Sequence, residues 1–375
     1  MERKKIVIFM DWYKPGYKAG GPIQSISNLV SLLFGEYDFY VVTRNLDYLE
    51  TSSYPDIDSG VWIKSREESI FYLEYNKLSY SKIKEVIREI SPDMIYLNSL
   101  YSIYFSLIPI LLARGKKIKT LLAVRGMLSE GSFSVKKKKK LLFLFLFKLL
   151  GLHKIVKFHA TTVGEKMDIL NKMGSQVDVQ VVQNVPRIKF NTQFKSRGDT
   201  LKIIFVGRIA PEKNLLFAIK AAKLVKSKVL FCIYGPVYNQ AYWSLCKSEI
   251  ERCPTHVNIK YQGVLPHSKL DATLSAFHVL FLPSTGENFG HIISEAMMNY
   301  CIPLISNKTP WRNLEKAKVG FDLAIDQEIL FAEKIDYLAS IEKIQLERMA
   351  KSANRFVNNQ VDTITLHSSY KKLFN

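Results

Sequence analysis

Cysteine is scarce in this sequence: Cys232, Cys246, Cys253 and Cys301 are all that 375 residues contain, and no two form a CxxC pair. That spacing excludes a disulfide framework and points to a reducing cytosol. Long apolar runs are missing as well. The longest, Leu141–Phe147, falls far short of the roughly twenty residues a spanning helix needs. The run Ile6–Met10 is half the core of a signal peptide and ends at Asp11. Neither secretion nor a membrane-spanning segment is therefore expected. His267, His278 and His291 give no HxxxH or HExxH arrangement, and Asp56-Ile-Asp58 lies in a polar stretch, so no metal is expected. No solenoid-like period and no low-complexity tail is present. Acidic charge is short too, with 34 Asp and Glu against 53 Lys and Arg, a net charge of +19. That excess favours an anionic partner: nucleic acid, anionic lipid or a phosphorylated substrate.

What is present is a balance of 47% hydrophobic and 23% charged residues over a length that suits two globular domains. Short apolar runs recur, each followed by a turn and a helical pattern. In the first half they are Ile6–Met10, Tyr37–Thr43, Met94–Leu97, Thr120–Val124 and Phe158–Val163. In the second half they are Lys202–Val206, Val229–Tyr234, Val257–Tyr261, Val279–Pro283 and Ile302–Ser306. Continuous apolarity suits strands buried on both faces of a parallel sheet. Helices are expected at Ile23–Leu33, Tyr80–Glu89, Leu215–Val225, Ile292–Met298 and Glu328–Ala350. The fold class is α/β: two doubly wound parallel-sheet domains, with ligands beyond the carboxyl ends of the strands and a site in the cleft between domains. The expected division is an amino-terminal domain over 1–188, a polar linker over 189–200, a second domain over 201–350, and a terminal helix over 351–375 that packs back on the first domain.

Two loops carry the chemistry. FVGRIAPEKNL (205–215) ends a strand at Gly207, and Arg208 and Lys213 follow before a helix. Glycine lets a ligand approach the backbone, and two cations there can hold a diphosphate; the plainer reading is a solvated turn. LPSTGENFGHIISEAM (282–297) runs from a buried strand through Ser284, Gly286 and Glu287 into a helix. The N–H groups of Asn288, Phe289, Gly290, His291 and Ile292 stand at its amino end, a ready anion site. Glu295, among apolar neighbours, needs a hydrogen-bonding partner, and a pair of ribose hydroxyls would serve. The plainer reading makes Glu287 a cap and Glu295 a solvated helix residue.

These two segments, followed by CIPLISNKTPW (301–311), resemble in order and spacing the donor domain of family 4 retaining glycosyltransferases, which have the GT-B fold of two Rossmann-like domains facing a central cleft. Glu287 and Glu295 match that family's glutamate pair, and Arg208 and Lys213 its donor-side cations. The resemblance is strong over residues 200–310. It implies a nucleotide-diphospho-sugar donor, bound by Gly207, Ser284, Asn288, Phe289, Gly290, His291 and Glu295, with Arg208, Lys213 and Glu287 as the catalytic set. It also implies metal independence and no cofactor. In the amino half, Gly20-Gly21-Pro22 resembles the family's glycine loop, which lies under the donor's diphosphate and sugar and makes Gly20 and Gly21 donor-binding as well. Arg125 stands where many members carry a histidine that contacts the sugar, which makes Arg125 an acceptor-side candidate. The alternatives are a sugar-nucleotide epimerase or hydrolase of the same fold and, on charge alone, a nucleic-acid-binding protein. The second has no zinc-finger spacing or RNA-recognition motif to support it.

Lys136–Leu150 (KKKKKLLFLFLFKLL) sets a lysine block beside an apolar stretch. It reads either as a helix on anionic lipid or as a core helix with a basic lead-in. With the net charge, it makes an anionic membrane surface an expected partner and nucleic acid an unexpected one. The combined expectation is a cytoplasmic enzyme, peripheral on the inner face of the cell membrane. It would transfer sugar to a glycan acceptor, lipid-diphosphate-linked, in bacterial surface polysaccharide (O-antigen, capsule or lipopolysaccharide) synthesis.

Overall fold

The computed structural model describes residues 2–129, 133, 137–187, 194, 200–360 and 362–375. The chain divides into two units. The first is Met1–Val185 together with Thr363–Asn375, and the second is Pro186–Asp362.

Eight strands build the sheet of the first unit: β1 (Lys4–Phe9), β2 (Tyr37–Arg44), β3 (Trp62–Lys64), β4 (Glu68–Leu73), β5 (Met94–Leu97), β6 (Lys119–Ala123), β7 (Lys157–Ala160) and β8 (Val179–Val181). Their order is β3-β4-β2-β1-β5-β6-β7-β8, parallel throughout except for edge strand β3, which runs antiparallel to β4. All four residues of β5 are buried, as expected for a strand with helices on both faces. Helix Tyr80–Ile90 shows why such helices start and stop where they do. Ser79 accepts a hydrogen bond from the Lys82 N–H at its start, and Ser91 turns left-handed at its end.

The second unit has six strands, all parallel: β9 (Leu201–Val206), β10 (Val229–Tyr234), β11 (Val257–Tyr261), β12 (Val279–Leu282), β13 (Ile302–Ser306) and β14 (Phe321–Leu323), in the order β11-β10-β9-β12-β13-β14. Every residue of β12 and β13 is buried. The order reverses between β9 and β12, and a doubly wound sheet binds its ligands at such a reversal.

Three expectations are corrected. The helix read as Glu328–Ala350 is two, Glu328–Ser340 and Lys343–Gln360, because Ile341 adopts an extended backbone between them. The terminal helix read over 351–375 is split likewise. Residues up to Gln360 stay in the second unit, and only Thr363–Phe374 returns to the first. There Tyr370 donates to the Gln183 carbonyl at 2.9 Å, and the Phe374 ring meets Tyr37, Phe39 and Tyr96. The strand read through Val163 stops at Ala160, since Thr162 caps a helix over Val163–Met173. Of the linker read over 189–200, only Phe194 and Thr200 fall within the described residues. Phe194 packs edge-on against Tyr300, 5.5 Å between centroids.

Candidate active site

In the second unit, β9 and β12 lie side by side, so the loops that follow them emerge together. The Gly207 N–H donates to the Tyr234 carbonyl, and the Lys213 side chain lies against Gly207. The contact is close because Gly235, at φ 146°, brings the end of β10 against Gly207. A Cβ on Gly235 would sit 1.8 Å from the Gly207 carbonyl oxygen. Next door, the Thr285 N–H donates to the Glu212 carbonyl at 2.9 Å, joining the loop after β12 to the turn Pro211–Lys213. Lys213 Nζ then reaches Glu287 Oε1 at 2.5 Å, both side chains largely buried. One ion pair thus closes the two motif loops on each other. Arg208 pairs with Glu212 at 3.2 Å and lies over the Tyr238 ring.

Beyond Glu287, the loop is strapped down. Trp311 Nε1 donates to the Phe289 carbonyl at 2.8 Å, and the Phe289 ring lies 4.6 Å from His291. Gly290, left-handed at φ 73°, starts helix His291–Met298 with no side-chain cap. A Cβ there would come within 2.8 Å of Ile293 Cδ1, so the turn requires glycine. An uncapped amino terminus leaves N–H groups and the positive end of the helix dipole for an anion. One turn in, Glu295 is buried at 5% exposure. Its carboxylate makes a single, long contact among the described residues, 3.4 Å to His267 Nε2. Ser284 is fully buried, its hydroxyl has no partner there, and its carbonyl accepts from Ser306 Oγ. A polar atom buried unpaired costs about 1–3 kcal/mol, which makes the Ser284 hydroxyl a costly group to leave without a partner.

Ten of the twelve sequence-predicted donor-side residues (Gly207, Arg208, Lys213, Ser284, Glu287, Asn288, Phe289, Gly290, His291 and Glu295) thus stand in loops after adjacent strands or on the helix that follows. Gly20, Gly21 and Arg125 belong to the first unit. Gly20, at φ 75°, precedes helix Gly21–Leu32, which likewise has no side-chain cap. Arg125, left-handed at φ 51°, follows the end of β6 and is held on three partners: Asn98 Oδ1, the Tyr96 hydroxyl at 2.8 Å and Asn184 Oδ1. Four of its five N–H groups are used in this way. Because arginine can only donate, Asn98 must turn its oxygen to Arg125 and its amide nitrogen away. That Nδ2 is buried with no partner among the described residues, as is Trp12 Nε1. Tyr96 donates to His159 Nδ1 at 2.7 Å while His159 Nε2 donates to the Val182 carbonyl, so His159 is neutral. Burial, with Arg125 nearby, pushes its pKa down to about 3. Sequence reasoning missed Gly235, His267, Trp311 and Asn98. Of these only Trp311 carried a signal, as the last residue of the CIPLISNKTPW segment.

Two doubly wound units, the second with its polar groups gathered where the strand order reverses, define the GT-B fold of glycosyltransferases. Residues 187–356, nearly the whole second unit, match the family model described as Glycosyl transferases group 1. That unit is similar to a group 1 glycosyltransferase domain, and the protein that carries it is a glycosyltransferase. Among similar solved structures is Anabaena HepE in complex with UDP and glucose, 14% identical, covering 99% of both chains with a TM-score of 0.72. Another is sucrose-phosphate synthase from Thermosynechococcus elongatus, 14% identical over 99% of this chain and 98% of that one, TM-score 0.69. A third is WaaG, a glycosyltransferase involved in lipopolysaccharide biosynthesis, 12% identical over 99% of both chains, TM-score 0.69. At these identities the likeness is one of fold. No curated protein sequence matches the chain.

Proposed function

We propose that this glycosyltransferase takes a sugar from a nucleotide diphosphate and transfers it with retention of configuration to a glycan acceptor. The observation that carries the reading is the Lys213–Glu287 pair, which unites the loops after β9 and β12 beside the uncapped start of helix His291–Met298. In this reading the diphosphate takes Arg208, Lys213 and the helix N–H groups. Glu295 accepts from the ribose hydroxyls, and Glu287, with the backbone of Asn288–Gly290, holds sugar hydroxyls and phosphate. Charge grows on the departing diphosphate in the transition state, and fixed cations and dipoles there are worth most. We assign no metal or cofactor to the reaction, since these groups neutralise the leaving group. The acceptor hydroxyl attacks on the face the diphosphate leaves, and a phosphate oxygen takes its proton, so no side-chain base is required. In the first unit, Gly20 and Gly21 are assigned to the donor's diphosphate and sugar, and Arg125 to the acceptor side.

We further assign the acceptor to a lipid-diphosphate-linked glycan of bacterial surface polysaccharide, with the enzyme cytoplasmic and peripheral on the inner face of the cell membrane. The net charge of +19 supports an anionic acceptor, and the printed role of WaaG in lipopolysaccharide biosynthesis supports the setting. Thermal stabilisation by a panel of UDP-, GDP- and dTDP-sugars tests the donor, since saturating a cognate ligand raises apparent stability. The anomeric configuration of the product by NMR tests retention. Stabilisation by none of the panel would remove the donor assignment. An inverted product would remove retention, and release of sugar to water alone, with every acceptor refused, would make the enzyme a hydrolase.

A further inference from the structure

Helix Lys137–Leu149 has two faces of opposite fate. Leu144 and Phe147 are buried in the core of the first unit, and the Phe143 ring stacks on Phe147 and meets Tyr101 edge-on. On the other side, Leu141, Leu142, Phe145, Leu146, Leu149 and Leu150 are all exposed, with Leu142 and Phe145 at 61% and Leu149 at 69%. At 100° per residue those six positions fall on one half of the helix circumference. Lys137, Lys138 and Lys139 are exposed at its amino end, and Lys140 folds over the Tyr101 ring. At the other end Arg114 donates to the Leu150 carbonyl. Between Glu130 and Glu165 the sequence contains no acidic residue. A contiguous exposed apolar face marks an interaction surface.

We propose that this face is a docking surface for an anionic lipid bilayer, with the helix lying in the interfacial plane. The inference rests on the reading that the enzyme works at a membrane and names the surface that takes it there. Charge complementarity selects the occupant. Leucine and phenylalanine insert among the acyl chains, while lysines, unopposed by any carboxylate of the segment, meet phosphate headgroups at the same level. Helix geometry makes the apolar stripe about 15 Å long. The same lysines would set a neutral membrane at a disadvantage.

The test uses the full-length protein and vesicles of phosphatidylcholine with or without phosphatidylglycerol, read by co-sedimentation. The first variant replaces Lys137, Lys138 and Lys139 by Gln. It should lose about a hundredfold in partitioning to the anionic vesicles at low salt, at about fivefold per lysine, and keep the residual binding in 0.5 M NaCl. The second replaces Leu142, Phe145 and Leu149 by Ser. These side chains are exposed, so its melting temperature should stay that of wild type while its salt-resistant binding disappears. Failure of wild type to bind anionic vesicles, or wild-type binding by the serine variant, overturns the proposal. So does a dimer in analytical ultracentrifugation that the serine variant converts to monomer, because the face would then belong to a second copy. Stabilisation by a nucleotide sugar, measured on the same preparations, separates these failures from failure of the transfer reading.

Discussion

The two units differ in how the carboxylates near their strand ends are partnered. In the first, they are held several times over, although Asn98 Nδ2, Trp12 Nε1 and the start of helix Gly21–Leu32 stay open among the described residues. Arg125 is held on Tyr96, Asn98 and Asn184, and Asp11 on Arg44 and Ser102. Glu165 accepts from the Gly126 and Thr161 N–H groups and the Thr161 hydroxyl. In the second, Glu295 has one long contact, Ser284 Oγ has none among the described residues, and a helix amino terminus has no side-chain cap. A closed network fixes a shape, and an open one holds bonding capacity for something that arrives. The contrast teaches that a carboxylate's own partners, rather than its burial, separate a strut from a candidate ligand group.

Substitutions test that contrast directly. The largest effect is expected from Arg125→Ala, which strips Tyr96, Asn98 and Asn184 of their shared donor. We expect a loss of about 3–5 kcal/mol in urea unfolding, with nucleotide binding by the folded fraction intact. Unchanged stability would show that the network is not a strut. Lys213→Ala should do the reverse. Turnover falls about a hundredfold, or ~2.7 kcal/mol in the barrier, and the melting temperature falls little. If the variant melts early and keeps its turnover per folded molecule, the pair with Glu287 is structural and the two units are alike. Glu295→Gln keeps the size and removes the better acceptor, so donor affinity should drop by about 2 kcal/mol in a titration of the cognate sugar nucleotide. Affinity equal to wild type would leave the ribose assignment without its residue.

The smallest effect sharpens the comparison through pH. With its pKa down near 3 in the folded state against 6.5 in the unfolded, His159 lets the unfolded chain bind the extra proton first. Stability is therefore complete above pH 6.5 and declines as pH falls toward 3, by about 1.4 kcal/mol between pH 7 and 5.5. His159→Gln should flatten that part of the acid slope in urea titrations at the two pH values. An unaltered slope would mean that the proton is taken up elsewhere.

Much of this was legible because parallel strands buried on both faces write themselves as unbroken apolar runs. Met94–Leu97, Val229–Tyr234, Val257–Tyr261 and Ile302–Ser306 stand in the structure at the limits the sequence suggests. Strand β4 was not legible. It begins with Glu68, a carboxylate buried against the Tyr13 hydroxyl and Lys14, partners that only the fold supplies. Edge strand β3 is three residues with no apolar run to mark it. The donor-side residues were readable because they are consecutive in two loops. Gly235 and His267 were not, since each acts through a neighbour distant in sequence: Gly207 for one, Glu295 for the other. The lysine-leucine helix left core and lipid as rivals because its sequence is apolar nearly all round, and the fold splits it into a packed half and an open half.

Thr363–Asn375 belongs to the first unit although the whole second unit precedes it. During synthesis the first unit therefore waits, with Tyr37, Phe39 and Tyr96 lacking the Phe374 ring that packs on them, until the ribosome has made the whole second unit. In the gene, the second unit is an insertion rather than an appendage. An exchange of second units between proteins built this way must splice at both Val185 and Thr363, because a single crossover would pair the first unit's sheet with another protein's closing helix.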